Sequence, residues 1–109
     1  MKADKYTYKV TWVQEDGEYA GLCVEFPSLS WLAKTPEAAL RGVRKVVSGA
    51  VADMRANGED IPEPLATHKF SGKFQVRIPP DVHRNLVIEA AEEHISLNRL
   101  VSAKLTKQG

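Results

Sequence analysis

Apolar and polar residues alternate over residues 6–13, with Tyr6, Tyr8, Val10 and Trp12 on one side. β-branched and aromatic side chains suit a pleated, half-buried surface, so the pattern predicts a strand. Gln14-Glu15-Asp16-Gly17 follows, and Asp-Gly between two such runs signals a hairpin because glycine takes positive φ. The return strand is expected over 19–26, with Ala20, Leu22, Val24 and Phe26 turned inward and Pro27 ending it. A short third strand is expected over 29–33.

Period 2 then gives way to a helical period. Thr35-Pro36-Glu37 supplies a hydroxyl N-cap, a proline at the first helical position and an acid in the first turn. Leu40, Val43, Val47, Ala50, Val51 and Met54 recur at helical spacing and predict a face packed on the sheet, while Arg41, Arg44, Lys45 and Arg55 lie off that stripe. Asn57-Gly58 supplies the stop. Glu59-Asp60-Ile61-Pro62-Glu63-Pro64 cannot continue a helix and reads as a stiff acidic connector. The front part is thus a βββα unit of about 60 residues, large enough for a small core.

A second alternation appears after Ser71-Gly72. Phe74, Val76 and Ile78 fall on one side of a predicted strand over 73–78, and Lys73, Gln75 and Arg77 on the other. Pro79-Pro80-Asp81 opens a helix carrying the stripe Val82, Leu86, Val87, Ala90 and Ala91. After a break at His94-Ile95, Ser96 is a good N-cap for a second helix through Leu97, Leu100, Val101 and Leu105. A strand and two helices in about 37 residues are too small to fold alone without a metal, disulfides or a partner. A solitary strand also leaves its ladder donors and acceptors unsatisfied. Two copies that pair these strands antiparallel remove both problems. Phe74, Val76 and Ile78 would then roof a shared core, and Lys73, Gln75 and Arg77 would face outward in duplicate. Such a ribbon fits the major groove of B-DNA, where Arg and Lys donate to guanine and Gln pairs with adenine. The start of the last helix, Ser96-Leu97-Asn98, offers backbone N–H groups to a phosphate. Periodicity alone equally allows an amphipathic edge strand with a solvated polar face.

Composition narrows the classes. With 109 residues, 43% hydrophobic and 27% charged, the chain is globular. No apolar run approaches the roughly 18 residues of a membrane span. The first residues lack the apolar segment of a secretory signal, so a cytoplasmic protein is expected. The net charge of +1 hides an asymmetry: up to Pro64 there are 8 Lys and Arg against 10 Asp and Glu, and from Leu65 onward 7 against 4, with all three histidines in the latter part. Two domains are therefore expected, 1–64 and 65–109. Cys23 is the only cysteine, which excludes an intramolecular disulfide and a zinc site of paired cysteines.

The front unit offers little chemistry. Asp16, Glu18 and Glu25 could be imagined as metal-binding carboxylates, but two of them sit at a turn, where acids are common. Cys23 on a strand, with no histidine in this half to activate it, reads as a small buried residue. There is no Gly-rich phosphate loop and no His-rich metal pattern, so no catalytic residue, metal or cofactor is expected.

The segment Ser71-Gly72-Lys73-Phe74-Gln75-Val76-Arg77-Ile78-Pro79-Pro80-Asp81-Val82-His83, followed by Ser96-Leu97-Asn98-Arg99-Leu100-Val101, resembles the ribbon-helix-helix segment of HicB-type antitoxins. Tyr6-Thr7-Tyr8-Lys9-Val10-Thr11-Trp12, the run from Gly21 to Ser30 and Thr35-Pro36-Glu37-Ala38-Ala39-Leu40 resemble the N-terminal domain of that family. The resemblance implies an α+β protein: a βββα partial RNase H-like domain plus a ribbon-helix-helix (βαα) dimerisation domain. It implies that the first binds a HicA-type mRNA-cleaving toxin and that the second, as a homodimer or higher oligomer, binds operator DNA and represses the operon. By position, Lys73, Gln75 and Arg77 would read bases and Ser96, Leu97 and Asn98 would contact phosphate. It implies neither nuclease activity nor a membrane partner. A stand-alone repressor whose front domain senses a small molecule, or a minimal nuclease, would be the competing readings.

Overall fold

A computed structural model describes residues 2–107. In chain order it contains a 3-10 turn at Lys2–Lys5, then β1 (Tyr8–Val13), β2 (Glu18–Cys23), β3 (Ser30–Ala33), α1 (Pro36–Ala56), α2 (Pro80–Glu92) and α3 (Leu97–Thr106). It is an α+β chain in which a three-stranded antiparallel sheet is followed by helices. The compact units divide between Ser71 and Gly72.

In the first unit the strands lie in the order β1-β2-β3. The hairpin closes as Asp-Gly demands: the Asp16 and Gly17 amides donate to the Val13 carbonyl at 3.2 and 3.0 Å, and Gly17 takes φ +60°. Tyr8 pairs with Cys23, Val10 with Gly21 and Trp12 with Tyr19, while Gly21 and Tyr19 pair with Trp31 and Ala33. Directly paired residues share a face, so this set forms the side covered by α1. The Thr35 hydroxyl caps α1 by accepting from the Ala38 amide at 3.1 Å, and Gly58 at φ +68° follows its end. Val43 and Val47 are completely enclosed, joined by Val51, Cys23, Tyr6 and Phe26. Burying each valine stabilises the fold by about 1.5–3 kcal/mol.

The inward face of β2 differs from the sequence expectation. Gly21 and Cys23 point at the helix, whereas Leu22 is half-buried on the opposite side and Val24 is 53% exposed. The reason is steric. α1 lies so close to β2 that a Cβ on Gly21 would collide with the Ala39 carbonyl oxygen and come within 2.9 Å of Val43 Cγ1. A large apolar side chain does not fit there. The strand also ends at Cys23, and a turn in which the Phe26 amide donates to the Cys23 carbonyl at 3.2 Å carries Phe26 back into the core. There it meets Tyr6 edge-on at 5.2 Å. Leu40, placed in the α1 core stripe by its spacing, is instead exposed.

The connector, read from the sequence as a stiff Pro-containing linker at the end of the first domain, lies in the first unit and is packed on it. Ile61 packs against the core and Pro64 is buried. Tyr6 donates its hydroxyl to the Pro62 carbonyl at 2.7 Å, and the Leu65 amide donates to Glu25 Oε2 at 2.9 Å. Glu25 also accepts from the Thr7 amide at 2.9 Å and the Thr7 hydroxyl at 3.1 Å. Burial pushes its carboxyl up, but the Leu65 and Thr7 hydrogen bonds outweigh this and hold it below the ordinary value of 4.5. The stability it contributes is therefore complete above that value and is lost as pH falls through the lowered folded value.

In the second unit α2 and α3 form a helical hairpin around Ala90 and Leu100, bridged by Lys104 Nζ to Glu89 Oε2 at 3.0 Å. The turn between them places His94 at φ +58°, with the Ile95 amide donating to the Ala90 carbonyl at 3.0 Å. That left-handed residue ends α2 where a glycine more often stands.

Gly21→Ala is expected to destabilise the first unit by at least about 1–3 kcal/mol, because the atom it meets is backbone and cannot rotate away. Urea unfolding of the parent and variant, followed by circular dichroism, measures the difference; equal midpoints would show that α1 can retreat without cost.

Candidate nucleic-acid interface

The residues proposed to read bases lie on a segment set by sequence in a simple way. Gly72 at φ +85° turns the chain, and Pro79 precedes Pro80 at the first turn of α2. Between them residues 73–79 carry no regular secondary structure, where the alternation predicts a strand. The three-stranded sheet of the first unit does not include them. An extended segment becomes a strand only through a ladder with a neighbour, and among the described residues none pairs with 73–78, so the expected strand is not formed here.

Lys73, Gln75 and Arg77 are all exposed. So are their apolar alternates: Phe74 is 74% and Val76 64% exposed, with Ile78 also open to solvent. Val82, Val87 and Ile88 of α2 and Leu105 of α3 continue the exposed apolar surface of this unit. Ile88 lies outside the stripe read from the sequence; its place one residue beyond Val87 was the available signal. Phe70, next to the last residue of the first unit, is similarly exposed and meets the His68 ring edge-on at 4.7 Å.

At the start of α3 the Ser96 hydroxyl accepts from the Arg99 amide at 3.0 Å. The serine oxygen thus serves as the cap, and the first-turn backbone amides of Leu97 and Asn98 have no acceptor within the helix. Leu97 is half-buried and Asn98 exposed. All six residues lie within the second unit, on either side of α2.

Two of the three carboxylates considered in the first unit have other engagements. Glu18 Oε1 is paired with Lys34 at 3.3 Å, and Glu25 holds Thr7 and Leu65. Among the described residues no group of three or more His, Cys, Asp or Glu is placed to hold a metal ion. Burial pushes the Cys23 thiol above its ordinary value, so at neutral pH it stays protonated and weakly reactive. No described helix is long and apolar enough to cross a membrane.

Residues 56–105 match the model of the HicB family. The match begins at the last residue of α1 and runs through the connector, the extended segment, α2 and most of α3. The matched stretch is 50 of the 109 residues, so the chain is similar to that family over just under half of its length. No curated protein and no solved structure matches the chain.

Ser96→Ala is expected to cost about 1 kcal/mol of stability in the second unit through loss of the α3 cap. Ser96→Asp, which keeps an acceptor at that position, should recover most of it. Urea unfolding of both variants tests this, and an unchanged midpoint in Ser96→Ala would show that the cap contributes nothing.

Proposed function

We propose that the chain is a non-enzymatic HicB-type antitoxin and autorepressor acting in the cytoplasm. Its βββα unit, of truncated RNase H-like shape, binds and blocks a HicA-type mRNA-cleaving toxin. Its second unit is a ribbon-helix-helix domain that dimerises through residues 73–78 and binds operator DNA. Lys73, Gln75 and Arg77 donate to or pair with base edges in the major groove, and the helix start at Ser96, Leu97 and Asn98 fixes the register on phosphate.

The observation that carries this reading is the exposure of both faces of residues 73–78. Polar side chains facing solvent are ordinary, but Phe74 and Val76 standing mostly open in a unit whose buried hydrophobic residues are Ala90 and Leu100 are not. Pairing with the same segment of a second copy gives those side chains a core and gives the backbone its ladder. The same pairing sets two copies of Lys73, Gln75 and Arg77 side by side, on a scale that fits a groove. Repression and toxin capture then fall to separate units of one chain, and joining two DNA-reading halves raises affinity through effective concentration.

Analytical ultracentrifugation should find a dimer at micromolar concentration, and Val76→Asp should shift it to monomer while α1 and the sheet stay folded. Arg77→Ala should remain dimeric and lose about 1–3 kcal/mol of operator affinity if its contact is bidentate. A folded monomer in the parent would overturn the ribbon, and an Arg77→Ala dimer with undiminished operator binding would overturn the base-reading assignment. Co-purification with the product of the adjacent reading frame tests the toxin half: a stoichiometric small basic protein is expected, and a retained metabolite in its place would point to a ligand-sensing repressor.

A further inference from the structure

Residues 59–65 hold to the first unit by three separate fastenings. The Ile61 side chain packs on the core, the Pro62 carbonyl accepts from the Tyr6 hydroxyl at 2.7 Å, and the Leu65 amide donates to Glu25 at 2.9 Å. Beyond them a hydrogen-bonded turn continues the structure: the Thr67 and His68 amides both donate to the Pro64 carbonyl at 3.1 Å. The His68 ring approaches Glu63 Oε2 at 3.0 Å. The sequence 59–64 alone, with two prolines and three acids, has the composition of an independent spacer.

We propose that residues 59–65 are a strap, with Glu25 as its outer clasp, and that the clasp sets how far the chain can reach from the first unit to the second. With the strap held, Leu65 is the last residue that Glu25 fixes, and the chain runs on within the first unit to Ser71. With it released, the last fixed point moves back to the end of α1, where the Glu59 amide donates to the Met54 carbonyl at 2.9 Å. Residues 60–65 then add up to about 20 Å of reach, while loss of the Glu25 clasp alone, with Tyr6 still holding Pro62, frees residues 63–65 and about 10 Å. Glu25 is suited to the task because one carboxylate joins two places distant in sequence. Oε2 accepts from both the Leu65 amide and the Thr7 hydroxyl, and Oε1 accepts from the Thr7 amide. Whatever displaces the Thr7–Glu25 corner of the sheet therefore also lets go of the strap, which gives an event at the first unit a mechanical route to the tether. Because effective concentration depends on tether length, the clasp tunes how strongly the two units act together, whatever each of them binds.

Amide hydrogen exchange by NMR on the full chain tests the clasp directly. The Leu65 amide should be protected at least about tenfold over its intrinsic rate in the parent. In Glu25→Ala it should approach that intrinsic rate while the Val47 and Val51 amides of α1 keep their protection. An unprotected Leu65 amide in the parent, or unchanged protection in the variant, would overturn the proposal. If Glu25→Ala also exposes the α1 amides, Glu25→Gln decides: its amide nitrogen can no longer accept, so Leu65 or Thr7 must lose about tenfold protection, and no loss at either overturns the clasp. Small-angle scattering reads the reach. The largest dimension should grow in whichever variant loses protection at Leu65, and an unchanged dimension would overturn the tether role.

Discussion

Everything in the first unit is arranged around the close approach of α1 to the middle strand of the sheet. The approach is possible because Gly21 presents no side chain where the Ala39 carbonyl passes, and because Gly42 leaves room for the Trp31 ring. At that separation Val43 and Val47 are sealed completely, and short side chains such as Cys23 fill what remains. Small residues on the sheet thus allow the valine stripe on the helix to replace water contact with dense packing. The rest of the unit follows from this: the turn that returns Phe26 to the core, the edge contact of Tyr6 with Phe26, and the surface on which the connector rests.

The second unit is organised on the opposite principle. It has a well-made helical turn, a proper cap at Ser96 and a bridging ion pair between Glu89 and Lys104, yet its largest apolar residues face outward. Local structure there is complete while burial is not. On the reading proposed above, a unit that satisfies its caps and turns but leaves Phe74 and Val76 in solvent is one half of an interface whose remaining hydrophobic area is removed from water on association. The HicB family match covers this unit's extended segment and most of its helices together with the connector.

The connector belongs to the first unit, and its packing there changes how the chain is understood. A proline-rich acidic stretch taken as a spacer is fastened by Tyr6, Glu25 and the packing of Ile61. Glu25 thereby leaves the list of possible metal carboxylates and becomes a carboxylate whose oxygens are filled by amide and hydroxyl donors, which also explains its lowered pKa despite partial burial.

Local signals determined a great deal by themselves. Asp16-Gly17, Thr35-Pro36, Gly58, Pro80 and Ser96 each act over a few residues through backbone geometry or a single hydrogen bond, and each stands where the sequence puts it. The periodicity of Val43, Val47 and Val51 likewise names the buried side of α1, since a helix turns its faces at a fixed angle per residue. What the sequence could not settle was anything that depends on distance between elements. Alternation in β2 is compatible with either face turned inward, and only the approach of the helix selects Gly21 and Cys23 over Leu22 and Val24. The Glu25 clasp joins residues 18 and 40 positions away, too far apart for any short-range pattern to announce. The lack of a strand at 73–78 has the same origin: alternation can specify which side chains go to which face, but a strand also needs a neighbour for its ladder, and the sheet of the first unit does not supply one to these residues.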